Sequence, residues 1–229
     1  MENWLSRTEN LIGTDAIEKL KNSNIAIVGI GGVGSFCAEA LARSGINNLT
    51  LIDNDTIDVT NINRQIMADT TTIGQLKVDI MKERILKINP NANIEIHPTF
   101  INEENISEII TKQFDYVIDC IDSIKSKLAL IEHCSINNIK IISAMGTGNK
   151  LDPTKFEVTD ISKTSVCPLA KIIRKSLREK NITKLKVVYS KEEPIKNASS
   201  NSPSSIAFVP SVAGLIMAGE VVKDLIKFE

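Results

Sequence analysis

Short apolar runs alternate with helical patterns along the first 148 residues, and no other feature of the sequence constrains the fold as strongly. The runs that predict strands have four or five residues each: Ile25–Gly29, Leu49–Asp53, Asn93–His97, Tyr116–Asp119 and Lys140–Ser143. The helices predicted between them are Val33–Ser44, Gly74–Ile88, Glu103–Thr111 and Ser123–Asn137. Such alternation predicts an α/β fold with a mostly parallel sheet and helices on both of its faces.

After Gly148 the pattern becomes less regular. Its predicted elements, in chain order, are the strand Phe156–Ile161, a helix from Pro168 to Lys180, the strand Lys186–Tyr189 and the helix Phe208–Phe228. The segment Glu192–Ser205 is rich in Ser, Asn and Pro, which predicts a mobile loop. The last helix is apolar, and we expect it to pack back on the sheet.

No internal repeat or clean linker divides the 229 residues, so we expect a single domain over residues 1–229. Within it, residues 1–148 would form a nucleotide-binding core. Residues 149–205 would form a basic, partly mobile segment, and residues 206–229 would return to the core.

The charges are unevenly distributed, although the formal net charge is only −1. Residues 163–191 contain nine basic residues and one acidic residue, a net charge of +8, which leaves −9 for the rest of the chain. Such a concentration suits a polyanion, nucleic acid above all, and a solvated helix face explains the same charges equally well. The candidate nucleic-acid ligands are Lys163, Lys171, Arg174, Lys175 and Arg178.

The N-terminal segment does not have the pattern of a signal peptide, because Glu2, Arg7 and Glu9 interrupt it. No apolar stretch approaches the ~18 residues needed to span a bilayer. The four cysteines contain no CxxC pair and do not indicate a disulfide framework. We therefore expect a soluble, cytoplasmic protein without a membrane partner.

A glycine-rich turn, Gly29-Ile30-Gly31-Gly32-Val33-Gly34-Ser35, joins the first predicted strand to the first helix. Its glycines allow a tight turn and a close approach to phosphate, and the helix N-terminus supplies free N–H groups. Asp53 ends the second strand about twenty residues later, where a carboxylate can hold ribose hydroxyls. The strand–turn–helix context predicts a nucleotide site in a Rossmann-like fold, and leaves the choice of nucleotide open.

The charged residues beyond the turn favour ATP over NAD. Arg64, in the run Asn61-Ile62-Asn63-Arg64-Gln65, and Lys77 on the next helix could offset the charge of a triphosphate, about twice that of a diphosphate. Asp122 follows the strand Tyr116–Asp119 and could hold Mg²⁺ through one carboxylate together with phosphate oxygens.

Taken together, these motifs resemble the adenylating domain of the ubiquitin-activating-enzyme superfamily, over roughly residues 7–145. The parts that carry the resemblance are Gly29–Ser35, Asp53-Asn54-Asp55, Asn61–Gln65, Lys77 and Asp119-Cys120-Ile121-Asp122. Bacterial members activate a carboxylate, which attacks the α-phosphate of ATP. The resemblance implies that ATP is bound by Gly29, Gly31, Gly32, Gly34, Asp53, Asp55, Asn61, Asn63, Arg64, Gln65, Lys77, Asp122 and Ser123.

The same resemblance assigns catalytic roles to Arg64, Lys77 and Asp122, with Mg²⁺ on Asp122. It also implies a homodimer in which Arg7 is offered across the interface to the partner's triphosphate. A guanidinium there would take up charge that develops on the leaving pyrophosphate.

Branches of the superfamily that activate sulfur-carrier proteins usually bind a structural zinc through two CxxC pairs. Cys37, Cys120, Cys134 and Cys167 lie too far apart in sequence for such a site, so we expect no zinc. Four other blocks resemble the tRNA threonylcarbamoyladenosine dehydratase branch: Leu151–Phe156, Lys163–Ala170, Val187–Pro194 and Ile206–Pro210. That resemblance implies ATP-dependent cyclisation of the threonylcarbamoyl group beside the anticodon, and tRNA as the partner of the basic segment.

Members of that branch commonly have an acidic residue where this chain has Cys167. A cysteine there could form a thioester, and Lys163, Lys171 and the following helix would favour its thiolate. Cyclisation needs no enzyme nucleophile, however, because the modified base carries its own. We therefore interpret Cys167 as incidental.

Three other functions remain open from the sequence. They are an adenylyltransferase that activates a ubiquitin-like sulfur carrier, an NAD-dependent oxidoreductase, and a non-catalytic nucleotide-binding scaffold. A sulfur-relay or cysteine-desulfurase partner, and a monovalent cation bound after Gly148, are compatible with the sequence but not required by it.

Overall fold

The computed structural model describes residues 4–196 and 203–228. Its helices are α1 (Ser6–Ile12), α2 (Thr14–Lys21), α3 (Gly34–Arg43), α4 (Lys77–Ile88), α5 (Ile106–Ile109), α6 (Ile124–Asn137), α7 (Pro168–Glu179) and α8 (Phe208–Ile226). The strands are β1 (Asn24–Val28), β2 (Asn48–Ile52), β3 (Asn93–His97), β4 (Tyr116–Asp119), β5 (Ile141–Ala144), β6 (Phe156–Asp160) and β7 (Lys186–Ser190). Short 3-10 helices cover Val59–Asn61, Pro153–Lys155 and Ile161–Lys163.

The described strands form one seven-stranded sheet in the order β3-β2-β1-β4-β5-β7-β6. Six of them are parallel, and β6 pairs antiparallel with β7 at one edge. The fold class predicted from the alternation of strands and helices is therefore confirmed. The segment after Gly148 does more than insert a basic helix, because β6 and β7 extend the main sheet.

Apolar side chains cover both faces of the sheet. On one face α3, α4 and α8 bury residues such as Leu41, Met81 and Met217 against the central strands. On the other face α5 and α6 contribute Ile106 and Leu130. There α7 packs beside α6 through its own cluster of apolar residues, which are Ala170, Ile173 and Leu177. Among the described residues, none of the helices is both long and apolar enough to cross a bilayer.

The structure differs from the expected elements at three places. Helices α1 and α2 were not predicted from the sequence. The helix expected at Glu103–Thr111 is reduced to the four residues of α5. The helix expected from Gly74 begins at Lys77, because backbone hydrogen bonds tie Gly74, Gln75 and Lys77 to residues 55–57 and a bridge pairs Leu76 with Thr56. Residues 197–202 of the loop predicted as mobile lie outside the described residues.

Helix α8 packs closely against α3 next to the glycine-rich turn. A Cβ atom on Gly214 would lie 2.2 Å from the carbonyl oxygen of Val33 and 3.1 Å from the backbone nitrogen of Cys37. Only glycine allows this approach, because both neighbouring atoms belong to the backbone. Pro210, one turn earlier, lies over the turn itself, where a Cβ on Gly32 would be 3.2 Å from the Pro210 ring.

We expect Gly214→Ala to lower the free energy of unfolding by about 1–3 kcal/mol, because the added methyl group forces two backbones apart. Gly219→Ala is the matched control in the same helix, since a Cβ atom there meets nothing within 4 Å. That control should raise stability by about 0.5–1 kcal/mol through its lower chain entropy when unfolded. Urea unfolding measures both, and equal stability of the two variants would refute the close contact.

Candidate nucleotide site

The carboxyl ends of β1, β2 and β4 lie side by side, which is where open parallel sheets bind ligands. The glycine-rich turn follows β1 there and depends on glycine at two positions. Gly29 has φ +91°, and a Cβ on it would lie 2.8 Å from the Cys120 carbonyl oxygen. A Cβ on Gly34 would lie 1.8 Å from the carbonyl oxygen of Gly29. The turn is thus pressed against the loop after β4, and the N-terminus of α3 opens towards the site.

Asp53, directly after β2, holds this turn in place. Its Oδ2 accepts a hydrogen bond of 2.6 Å from the backbone N–H of Ile30, and its Oδ1 accepts one of 2.8 Å from Asp55 N–H. Burial raises the pKa of Asp53 above its ordinary value, and the Lys77 ammonium and the two N–H groups partly oppose that rise. Each oxygen keeps a second lone pair, so the carboxylate can still accept from ribose hydroxyls.

The polar run after β2 lies directly on the glycine-rich turn. A Cβ on Gly32 would be 3.3 Å from Arg64 Cγ, and one on Gly31 would be 3.9 Å from Gln65 Nε2. The short helix Val59–Asn61 gives this run its shape: the buried Asn61 accepts a hydrogen bond from the N–H of its capping residue, Asp58. The structure therefore brings Arg64 and Gln65 together with the glycines, as the sequence predicts, and uses Asn61 to brace the loop.

Arg64 and Asn63 are tied to each other and to neighbouring backbone. Arg64 Nη1 donates to the carbonyl oxygen of Thr60 at 2.9 Å and to Asn63 Oδ1 at 2.8 Å. Asn63 Nδ2 donates to the carbonyl oxygen of Ser205 at 3.1 Å. Asn63, expected to bind the nucleotide, thus connects this run to the segment that leads into α8.

The side-chain carbonyl oxygen of Gln65 receives no hydrogen bond from the described residues. Its side chain is buried, and its Oε1 is the only buried side-chain oxygen or nitrogen of the described residues without a hydrogen-bond partner. A buried unpaired amide oxygen costs about 1–3 kcal/mol. Its position beside Gly31 makes a bound ligand the natural source of the missing donor.

Lys77 begins α4 and points its charge at the same edge. Its ammonium group lies 2.6 Å from Asp55 Oδ2, and its side chain is only 7% exposed while that of Asp55 is 58% exposed. The lysine stem is therefore fixed by packing. Asp55, expected to bind the nucleotide, is the residue that orients Lys77.

The loop after β4 carries two side chains that face solvent. Asp122 is exposed and makes no hydrogen bond or ion pair within the described part of the chain. Ser123 is the N-cap residue of α6 but its hydroxyl makes no capping hydrogen bond. Both side chains are therefore available to a ligand.

A buried ion pair positions this loop, and the sequence analysis did not predict it. Lys127 Nζ lies 2.7 Å from Asp119 Oδ2, and both side chains are 0% exposed. Lys127 also donates to the Ala144 carbonyl oxygen at 3.0 Å, and Ser143 Oγ donates to the same Asp119 oxygen at 2.5 Å. The other oxygen, Asp119 Oδ1, accepts from Ile121 N–H in the loop itself at 3.0 Å.

A signal for this pair does exist in the sequence. Lys127 stands three, four and seven residues before Leu130, Ile131 and Cys134, on the apolar face of the predicted helix. A lysine on such a face requires a buried anion, and Asp119 ends the preceding apolar strand.

The described residues contain no group of three or more His, Cys, Asp or Glu side chains that could hold a metal ion. Any cation at this edge would therefore depend on Asp122 and on ligands that the nucleotide brings. Asp119 is already engaged by Lys127 and Ser143.

Arg7 lies away from this edge in its own chain. It is exposed on α1, and no described residue pairs with it. Leu5, two residues earlier, packs on Gly45, where a Cβ would be 3.1 Å from its Cδ1. Gly45 follows the far end of α3, whose ten residues span about 15 Å from the glycine-rich turn.

The basic residues of the predicted nucleic-acid surface form a partly free set. Lys163, Lys171, Lys175 and Arg178 are exposed and form no ion pair with a described residue, although the charge of Lys163 acts on the nearby Asp160 carboxylate. Arg174 differs, because its Nη1 donates to the Thr164 carbonyl oxygen at 2.8 Å and to Thr164 Oγ1 at 2.6 Å. Arg174 therefore closes the loop before α7.

Cys167 is buried at the start of α7 and faces the loop after β5. A Cβ on Gly146 would lie 3.6 Å from its sulfur. It occupies the N-cap position without making a side-chain hydrogen bond to the helix. The thiol expected to be incidental is therefore buried, with 3% of the residue exposed.

Comparisons with known proteins are consistent with this geometry. The chain matches the ThiF family over residues 5–229. It is 46% identical to the tRNA threonylcarbamoyladenosine dehydratase of Bacillus subtilis, over 99% of this chain and 96% of that protein.

Two solved structures of the Escherichia coli tRNA N6-threonylcarbamoyladenosine dehydratase, TcdA, have a similar fold. The complex with ATP superposes with a TM-score of 0.92 at 35% identity, and covers 97% of this chain and 93% of that one. The complex with AMP has a TM-score of 0.92 at 36% identity, and covers 96% of this chain and 93% of that one.

We expect Lys127→Met to lower the free energy of unfolding by about 3–5 kcal/mol, because it leaves the buried Asp119 carboxylate uncompensated. Adding Asp119→Asn should recover part of that loss, since the double variant buries no net charge. Lys125→Met is the matched control: this exposed lysine lies on the same helix, and its loss should change stability by less than about 0.5 kcal/mol. Urea unfolding of the variants decides the point, and equal effects of Lys127→Met and Lys125→Met would contradict the role of the pair.

Proposed function

The chain belongs to the ThiF family, and from that premise we propose that it is an ATP-dependent tRNA threonylcarbamoyladenosine dehydratase. The observation that carries the proposal is the similarity to the Bacillus subtilis dehydratase along nearly the whole of both chains. It includes the segment after Gly148, in which the branches of the superfamily differ. The reaction adenylates the threonine carboxylate of the modified adenosine beside the anticodon and lets it cyclise.

The nucleotide site supports ATP through the charges that surround the glycine-rich turn. The N-terminus of α3 and the side chains of Arg64 and Lys77 would bind phosphates. Asp53 would accept from the ribose, and the unpaired Gln65 Oε1 would accept a hydrogen bond from the nucleotide. These assignments follow from position: each group lies at the carboxyl edge, against or beside the turn.

Mg²⁺ fits the site with Asp122 as its protein ligand. Asp122 is exposed and uncommitted, whereas the neighbouring Asp119 is buried in its ion pair. One carboxylate combined with phosphate oxygens and water is a usual arrangement for this ion. When bound, Mg²⁺ would neutralise part of the charge on the triphosphate.

The proposed chemistry has two steps. An oxygen of the threonine carboxylate attacks the α-phosphorus of ATP and displaces pyrophosphate, which gives an acyl-adenylate. A nitrogen of the neighbouring carbamoyl group then attacks the activated carbonyl carbon, AMP leaves, and that nitrogen loses its proton. The two steps together remove one water from the nucleoside.

The chain's contribution is electrostatic, because the nucleophiles of both steps belong to the substrate. Arg64 and Lys77 lower the cost of the charge that develops on the α-phosphate and on pyrophosphate. The cyclisation is already intramolecular and gains its proximity from the substrate itself. No thiol is needed, which is consistent with the burial of Cys167.

Arg7 would act in a homodimer, on the triphosphate held by the partner subunit. The basis is its position at the far end of α3 from the turn of its own chain, and none of the described residues forms an ion pair with it there. A guanidinium supplied by a second copy would complete the set of cations around the leaving pyrophosphate.

The protein would work in the cytoplasm, as we expect of a tRNA-modifying enzyme.

The exposed face of α7 would receive the tRNA. Its apolar face is buried on α6, which leaves Lys171, Lys175 and Arg178 unpaired in solvent. The helix starts beside the loop after β5, at the same edge of the sheet as the nucleotide site. Phosphates of the anticodon arm could therefore bind to it while the modified base reaches ATP.

The direct test incubates the protein with ATP, Mg²⁺ and tRNA that carries threonylcarbamoyladenosine. Digestion of the RNA and mass spectrometry of the nucleoside should reveal a product lighter by one water, formed only when ATP is present. An unchanged nucleoside from a protein that binds ATP would refute the proposal. Pyrophosphate exchange that depends on a small carrier protein would then support the carrier-activating alternative.

A second experiment tests Arg7. Arg7→Ala and Lys77→Ala should each lower turnover sharply, and a mixture of the two should regain activity, because a mixed dimer contains one complete site. A mixture of Lys77→Ala with Arg64→Ala is the negative control, since both residues belong to the same site within one chain. If the first mixture stays as inactive as the control, Arg7 does not act across a dimer interface.

A further inference from the structure

A second basic region lies at the opposite edge of the sheet from the nucleotide site. A cavity of about 450 Å³ opens there, beneath the amino ends of β4 and β5. Four lysines line it, each from a different part of the fold. They are Lys19 on α2, Lys112 before β4, Lys140 before β5 and Lys227 at the end of α8.

None of these four lysines has a close acidic partner within the described residues, although the charge of Lys140 acts on the nearby Asp224 carboxylate. All four are exposed, and none forms an ion pair or a side-chain hydrogen bond within residues 4–196 and 203–228. Several other lysines pair with acids, as Lys77 does with Asp55 and Lys180 with Glu132. The cavity instead brings four lysines without a close acidic partner to one place.

The two carboxylates that line the cavity are already engaged. Asp115 Oδ2 accepts from the backbone N–H of Asn24 at 2.9 Å. Asp224 lies 2.8 Å from Lys186 Nζ and accepts from the Tyr116 hydroxyl at 2.7 Å. Four lysines against two carboxylates still leave the lining with a formal charge of +2.

The cavity continues the basic face of α7. This helix starts at the nucleotide edge and runs about 18 Å towards the opposite edge. At its end, Lys180 lies 2.6 Å from Glu132 on α6. The last residue of α6, Asn137, lines the cavity about 8 Å further along that helix.

We infer that the lysine-lined cavity binds the phosphate backbone of the tRNA at a distance from the modified nucleoside. The inference rests on the proposed function, which places the modified base at the nucleotide edge. An RNA long enough to follow α7 from that edge would bring further phosphates to the cavity. Exposed lysines suit this ligand because each acts as a point charge that tolerates different phosphate positions.

The test compares Lys112→Gln/Lys140→Gln with the wild-type chain and with Lys82→Gln/Lys87→Gln. The control pair lies on α4, which does not line the cavity, and neither lysine has a partner within the described residues. Binding to full-length tRNA is measured at several salt concentrations. Dehydration is measured on full-length tRNA and on a short oligonucleotide that spans only the anticodon loop.

The cavity variant should lose tRNA affinity, and the slope of log K against log salt should fall by about 0.7–0.9 for each phosphate contact removed. Its KM for full-length tRNA should rise severalfold, while KM and kcat on the short oligonucleotide stay at wild-type values. The control variant should match the wild type in every measurement.

A wild-type salt slope in the cavity variant would overturn the inference, and so would equal losses in the cavity and control variants. A loss of dehydration on the short oligonucleotide as well would also contradict it, because the cavity would then act on the catalytic edge. Failure of the wild-type chain to dehydrate either RNA is a separate result, which would refute the proposed function.

Discussion

A carboxylate and an ammonium group meet in the centre of this fold with no access to water. Charges so placed are tolerated only when they are paired and every remaining lone pair or proton has a partner. Asp119 and Lys127 satisfy that demand by drawing on Ser143 and Ala144 of the neighbouring strand β5 and on the backbone of the loop after β4. One interaction thus connects β4, β5 and α6 with the loop that carries Asp122. Replacing it with apolar residues could preserve stability, but it would release the loop from its strand.

The glycine-rich turn, which forms the other half of the site, is also held by contacts with distant parts of the chain. Asp53 binds the glycine-rich turn, Pro210 covers it and Gly214 brings α8 against the start of α3. The turn therefore receives its shape from residues that follow β2 and from residues at the end of the chain. This long-range bracing explains why residues 206–228 belong with the core although a less regular segment separates them from it.

Local pattern was sufficient to predict most strands and helices, because short buried strands and amphipathic helices carry their own periodicity. The edges of the sheet and the strand order beyond β5 could not be predicted from the sequence, since a strand such as β6 can pair on either side of several neighbours. The start of α4 could not be predicted either. The sequence carries no sign that residues 74–76 pair with residues 55–57, and this pairing keeps them out of the helix.

The candidate site, too, could be predicted from the sequence only in part. Arg64, Gln65 and Lys77 were predicted to lie near the turn, and they do, because strand ends of a parallel sheet converge on one edge. The sequence does not distinguish residues that face the ligand from those that position their neighbours. Asn61 accepts a hydrogen bond from Asp58, the capping residue of a short helix, Asn63 orients Arg64, and Asp55 fixes Lys77.

Those positioning residues matter for an enzyme whose main task is to stabilise charge. A flexible arginine or lysine would lose conformational entropy each time a triphosphate entered, and it would reorganise as charge developed on the leaving group. Lys77 avoids this because its stem is buried, and Arg64 because two oxygen atoms hold its guanidinium. Both side chains are therefore held in place at the carboxyl edge of the sheet. In the proposed mechanism, cations placed in advance would stabilise the charge of the first chemical step without reorganising.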